Sequence, residues 1–214
     1  MSYIKNIVLF SLLISGLAFS NKAQYTRIIN SDINSTIIEF ELDDFQLVPI
    51  QTDQKNMKNM YLVKFKDGAA FLKQGAPDIH KYSRSIIIPD DAQMQVEILS
   101  TKFIDHANIL IAPSKGNLTR RVNPNNVSYE FGTEYKQDVF FPHSIAKLQT
   151  PYILRDLRGQ TVDFHPIQYN PVTKVLRVYH QMKIKVYAEG KSNANVLQRK
   201  SAIQNISREY KNIY

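Results

Sequence analysis

Short runs that alternate apolar and polar residues recur along most of the chain, and no other feature limits its fold as strongly. Ile37-Ile38-Glu39-Phe40-Glu41-Leu42 sets apolar side chains against acidic ones, and Leu62-Val63-Lys64-Phe65-Lys66 does the same with cations. Met94-Gln95-Val96-Glu97-Ile98-Leu99 and Met182-Lys183-Ile184-Lys185-Val186-Tyr187 repeat the pattern. A period of two puts one face of a strand in a core and the other in water. Further candidates lie at residues 84–88, 100–104, 109–112, 151–155, 161–169 and 175–179. The last two flank Asn170-Pro171-Val172-Thr173-Lys174, a hairpin-like break in which proline presets one backbone angle. About ten strands at short spacing, with no amphipathic helix before residue 190, predict an all-β domain. Its form is an antiparallel β-sandwich or a partly closed barrel. Ile37, Phe40, Leu62, Phe65, Val96, Ile98, Ile153, Leu176 and Val178 are expected among its buried positions.

The two ends of the chain read differently. One cation, Lys5, precedes an uncharged apolar run at residues 7–19, which is shorter than the roughly 20 residues a spanning helix needs. A basic start, a short apolar run and small residues after it make a secretory signal peptide, with an uncleaved anchor as the alternative. Cleavage after Ser20 or after Ala23 fits, and Ala23 gives a leader of residues 1–23. Removing Lys5 and Lys22 takes the formal charge from +8 to +6. The chain is then expected to be exported, to the periplasm or the secreted space, with no stable membrane insertion after cleavage. The β domain is expected over residues 24–190. Residues 191–214 are polar with scattered apolar residues, and predict a flexible or marginally helical tail.

Composition excludes several chemistries. The 214 residues contain no cysteine, so a disulfide scaffold, a thiolate metal site and a cysteine nucleophile are all excluded on this chain. Seven glycines, and no P-loop or G-x-S-x-G, argue against a phosphate cradle or a nucleophile elbow. His80, His106, His143, His165 and His180 include no pair three to five residues apart, so no local metal motif is present. His165 and His180 fall on neighbouring candidate strands and read as polar residues on a wet sheet face. The adjacent pairs Asp43/Asp44 and Asp90/Asp91 read as solvated caps in turns. No cofactor and no metal are expected. The cations are spread along strands such as Lys64/Lys66 and Lys183/Lys185, which protects edges and keeps a chain soluble. No stacking motif accompanies them, and no nucleic-acid partner is expected.

The most unusual stretch is Ala112-Pro113-Ser114-Lys115-Gly116-Asn117-Leu118-Thr119-Arg120-Arg121-Val122-Asn123-Pro124. It begins where a strand ends and runs on without periodicity, with two adjacent arginines near its middle. On the residues alone it is either a surface loop with solvated cations or a functional loop, since long loops in compact domains often carry function.

Ordered blocks of the chain resemble a known family. Gly75-Ala76-Pro77 is followed by Ser83-Arg84-Ser85, then by Ile111-Ala112-Pro113-Ser114-Lys115-Gly116. Pro151-Tyr152-Ile153-Leu154-Arg155-Asp156-Leu157-Arg158-Gly159-Gln160 comes next, and after it Gln168-Tyr169-Asn170-Pro171-Val172-Thr173-Lys174-Val175-Leu176-Arg177-Val178-Tyr179. Together these resemble the N-terminal propeptide of gingipain-type cysteine peptidases, over roughly residues 35–190. One departure is His80, where the family usually shows proline.

The resemblance implies a β-sandwich domain that assists folding of a peptidase and keeps it latent during export. It implies a partner, the catalytic domain of a gingipain-type cysteine peptidase, acting in cis or in trans. It also implies an inhibitory loop that places an arginine in the specificity pocket of Arg-specific members. The matching residue is Arg120, with Arg121 beside it and Thr119 and Leu118 before it. Peptidases of this type use a catalytic His and Cys in a domain that follows, so this cysteine-free chain is not expected to be an enzyme itself. Arg199, Lys200, Arg208 and Lys211 in the tail are candidates for processing by a basic-specific peptidase. The chain then reads as a free-standing propeptide or as part of a cysteine endopeptidase precursor. An envelope β-sandwich that binds something other than a peptidase is the remaining alternative.

Overall fold

A computed structural model describes residues 25–57 and 59–199. The leader expected at residues 1–23 lies outside the described residues. So do the processing candidates Lys200, Arg208 and Lys211. Twelve strands are present among the described residues: β1 (Thr26–Ser31), β2 (Ser35–Glu41), β3 (Gln46–Pro49), β4 (Tyr61–Lys64), β5 (Ala69–Ala70), β6 (His80–Ile87), β7 (Ala92–His106), β8 (Ala146–Leu148), β9 (Tyr152–Leu154), β10 (Leu157–Phe164), β11 (Ile167–Asn170) and β12 (Val175–Lys191). The only helical elements among these residues are short 3₁₀ turns at Lys55–Met57, Pro124–Asn126 and Thr133–Lys136. None is long and apolar enough to cross a membrane.

Two five-stranded antiparallel sheets form the body, with β3 and β4 as a separate pair. Each sheet is organised by one long strand. In the first, β12 pairs along one edge with β7, and its other edge is shared by β11 and then β2, with β1 outside β2. In the second, β10 pairs with β6 along one edge, and β9 and β8 share the other.

Period-two chemistry sets the packing. The even-numbered side chains Leu176, Val178, Met182, Ile184 and Val186 of β12 are all 0% exposed, as are Ile38 and Phe40 of β2 and Val162 and Phe164 of β10. The sheets meet where the Phe40 and Phe164 rings stack at 5.2 Å. Tyr82 packs against Phe40, and Tyr25 touches both. Burying each such side chain contributes about 1.5–3 kcal/mol before conformational entropy is counted. The all-β sandwich expected from the alternation is the architecture found.

Individual positions depart from expectation for physical reasons. Ile37 is only half-buried, because it lies on the opposite face of β2 from Phe40, and Ile38 takes the core position. Leu62 faces a small side cluster of Met57, Met60 and Ala112, while Val63 and Phe65 enter the main core. On β7, Met94 is buried and Val96 half-buried beside β8, but Ile98 is 41% exposed where the edge strand leaves that groove. Ile153 is 43% exposed on the short edge strand β9. Its neighbour Tyr152 does the packing there, against Gly159, where a Cβ would lie 2.7 Å from the ring.

Buried polar side chains fasten the ends of the sandwich. Asp163 accepts from Lys81 Nζ at 2.5 Å, Ser83 Oγ at 2.6 Å and Gln149 Nε2 at 2.6 Å. Arg158 is 0% exposed. Its guanidinium donates to the carbonyls of Pro89 (2.7 Å) and Ala92 (2.8 Å) in the β6–β7 turn, and to those of Ala194 (2.9 Å) and Asn195 (2.8 Å). Ser192 N donates to Asp91 O, Leu197 N to Asp90 O, and Arg199 reaches both Asp90 carboxylate oxygens and Asp156 O. The first part of the expected tail, residues 192–199, is therefore a non-helical strap tied across the end of the sandwich.

Arg158→Met leaves these carbonyls without their shared donor and should lower stability by about 3–5 kcal/mol. The readout is the denaturant midpoint at constant slope. A loss below about 1 kcal/mol would mean the carbonyls are satisfied without it. Arg199 must leave Asp90 before a protease can use it, so trypsin should cut after Arg199 about ten times faster in Asp90→Ala than in wild type. Equal rates, followed by mass spectrometry, would show the pair does not hold the strap.

Candidate functional site

The polar stretch after Ala112 is a loop with fixed feet. At its entry, Ala112 N donates to Tyr61 O at 2.8 Å and Ala112 O accepts from Asp78 N at 2.9 Å, and Ser114 N donates to Ala76 O at 2.7 Å. Gly75 N donates to Ser114 O at 2.9 Å, and at the exit Gly132 N donates to Gly75 O at 2.8 Å. Entry and exit thus meet on one residue. Gly75 has φ +79°, and a Cβ there would lie 2.9 Å from the Gly132 backbone, so only glycine allows the contact. Tyr135 OH donates to Ile111 O at 2.8 Å and locks the segment that leads into the loop, which bridges to Tyr61 of β4, and burial raises that phenol's pKa far above its ordinary range.

Above these feet the loop is drawn together a second time. Lys115 Nζ donates to Pro124 O at 2.8 Å and lies 4.1 Å over the centre of the Tyr129 ring. Partial burial in this position lowers the lysine pKa. Tyr129 N donates to Gln54 Oε1 at 2.9 Å, which ties the exit to a segment far away in sequence.

The tip is a β-turn. Val122 N donates to Thr119 O at 3.0 Å, which makes Arg120 and Arg121 its two central residues. Both are exposed, and neither enters any of the ion pairs found among the described residues. Asn123 caps the following turn by accepting from Asn125 N at 3.0 Å. Of the sequence candidates, Leu118, Thr119, Arg120 and Arg121 all lie on the outer part of this one loop, with Leu118 half-buried. Arg199 lies elsewhere, on the strap beside Asp90.

His165 does not lie on the wet face expected of it but is buried, with Nδ1 at 2.5 Å from Ser144 O, and half-buried His180 faces Leu42 O at 3.4 Å through Nδ1 while its Nε2 has no hydrogen-bond partner. Among the described residues no group of His, Asp or Glu has the arrangement to hold a metal ion. Lys115, Gln54 and Gly132 are the residues that sequence reasoning did not assign. Lys115 stood in a recognised block without a role, while Gln54 and Gly132 carried no local signal.

Comparison with known proteins gives this geometry a setting. Residues 19–214 match the family model described as Propeptide_C25. The chain is 36% identical over 220 residues to gingipain R2 of Porphyromonas gingivalis, covering 100% of this chain and 30% of that protein. It is 37% identical over 216 residues to gingipain R1 of the same organism, covering 98% of this chain and 21% of that protein. It therefore spans about a third or less of the curated relatives it matches. Among solved structures it is similar to a chain of the complex of Porphyromonas gingivalis RgpB pro- and mature domains, with a TM-score of 0.78, 34% identity, and coverage of 90% of this chain and 96% of that one. A structure addressing zymogenic latency of gingipain K shares the fold, with a TM-score of 0.65 at 17% identity, over 77% of this chain and 92% of that one. Three of the blocks that resemble gingipain propeptides supply Gly75 and Ser114 at the loop's entry and the buried Arg158, and with the family match running from residue 19 to the end, this chain belongs to the C25 propeptide family.

Proposed function

We propose that this domain binds the catalytic domain of a gingipain-type cysteine peptidase, in cis or in trans, and keeps it latent by placing the Arg120 turn in its cleft. It also assists folding of that partner during export, a role supported by the family membership and by the leader pattern at residues 1–23. The relative solved as a complex of pro- and mature domains shares this fold at 34% identity. One observation carries the reading: Arg120 and Arg121 are presented at the centre of a hydrogen-bonded turn, on a loop fixed at both feet.

The chemistry suits the role. A guanidinium offers five donors in a planar fork and pairs bidentately with a pocket carboxylate. An arginine anchored in a desolvated pocket is a typical interface hot spot. The turn supplies the other half of latency. Its Thr119–Val122 bond folds the Arg120–Arg121 peptide away from the extended geometry that a nucleophile needs to attack. The chain carries no cysteine, so it cannot supply that nucleophile itself. Processing by a basic-specific peptidase then falls on Lys200, Arg208 and Lys211 before Arg199, which the strap holds against Asp90.

The inhibition constant against an Arg-specific peptidase of this type tests the anchor. Arg120→Ala should raise it by about 10²–10³, because truncating one partner of a buried charge pair costs about 2–5 kcal/mol. Arg120→Lys should recover part of the loss, since an ammonium cannot form the bidentate pair. Arg121→Ala should change little if it lies at the rim. None of the three should shift the melting temperature appreciably. Equal inhibition by wild type and Arg120→Ala removes the anchor, and a large loss confined to Arg121→Ala moves the register by one residue.

A further inference from the structure

Resting on that reading, we propose that Lys115 is the positioning residue that makes the loop an inhibitor rather than a substrate. An exposed arginine on a long polar loop is what an Arg-specific peptidase cuts. To be cut, residues around it must extend. Four residues in a β-turn keep their ends within about 7 Å, whereas the same residues extended span about 10 Å. Cleavage at Arg120 therefore requires the two arms of the loop to separate by several ångströms.

The feet at Gly75 and Gly132 do not by themselves prevent this. They lie at the base, and residues 117–123 above them are mostly exposed. Lys115 holds the arms where it matters, between the feet and the tip. Its ammonium donates across the neck to Pro124 O at 2.8 Å and rests 4.1 Å over the Tyr129 ring. Tyr129 is in turn fixed to Gln54 through its backbone at 2.9 Å. One cation thus joins the entry arm, the arm that follows the turn, and the exit segment at Tyr129. Closing a loop at a shorter chord reduces the conformations available to its tip, which is how preorganisation favours tight binding over productive distortion. Lysine suits the position because it carries three donors on a flexible stem and a charge that an aromatic face attracts.

The test uses the full chain with Lys115→Met, Lys115→Arg and Arg120→Ala, and three readouts: melting temperature, rate of trypsin cleavage after Arg120 or Arg121, and inhibition constant. Lys115→Met keeps the stem's bulk but loses both contacts. It is expected to melt with wild type, to be cut at the tip about 10–100 times faster, and to inhibit about 10–100 times more weakly. Lys115→Arg, which donates and stacks in the same place, should restore both values to within about threefold of wild type. The cleavage arm needs no cognate peptidase, so it decides the neck contact even if Arg120→Ala shows that the anchor reading fails. Tip cleavage of Lys115→Met at the wild-type rate overturns the proposal. Faster cleavage with unchanged inhibition also overturns it, because the neck would then protect the loop without positioning Arg120.

Discussion

The burial of the apolar face of the sheet built on β12 against that of the sheet built on β10 is the constraint on which the rest of the molecule depends. Leu176, Val178, Met182, Ile184 and Val186 of β12 and Phe40 of β2 supply one wall, Val162 and Phe164 of β10 supply the other, and Phe40 stacks on Phe164 across the join. Both organising strands are long, and each has one edge divided between two shorter strands. Register is therefore set several times along the same strand, since a slip of one residue would turn every core side chain into water. This over-determination lets the connections carry irregular backbone without disturbing the core.

Polar residues convert that core into a platform. Arg158, Asp163, Gln168 and Asn170 are all buried, and each is tied to a turn or a neighbouring segment. Burying such groups is favourable only when their hydrogen bonds are made, so each one specifies where a turn or strap must sit. Burial lowers the pKa of Arg158, and the nearby carboxylates of Asp90 and Asp91 oppose that shift. The candidate loop follows the same logic at its base, where backbone bonds to Gly75 fix both feet, and the opposite logic at its tip. Arg120 and Arg121 stay in water, as the proposed function requires of residues that a partner would desolvate.

Much of the fold was legible because period two is a local property. β2, β4, β7 and β12 announce themselves in runs of a few residues. What a run cannot say is which parity faces inward or how far the opposite sheet extends. Ile37 and Ile38 are chemically identical, and only pairing with β12 decides that Ile38 is the core residue. Ile98 alternates correctly yet stands exposed, because cover is a property of a neighbour that ends before it does. β1 was not legible, since Thr26-Arg27-Ile28-Ile29-Asn30-Ser31 has no alternation and pairs through a bulge between Ile28 and Asn30. The paired arginines of the loop could be found by eye, and the family resemblance gave them a role. The contacts that shape the loop could not be found this way. Lys115, Tyr129 and Gln54 meet only after the chain has folded, and nothing in their spacing points to one another.

Hydrogen exchange of the domain, alone and bound to an Arg-specific gingipain-type peptidase, addresses the central claim most directly. If the turn fills the peptidase cleft, amides in residues 117–123, a mostly exposed segment of the free domain, become strongly protected on binding, while those of the already hydrogen-bonded β10–β6 ladder change little. Protection that falls on another surface, with residues 117–123 exchanging as freely as before, would contradict the account.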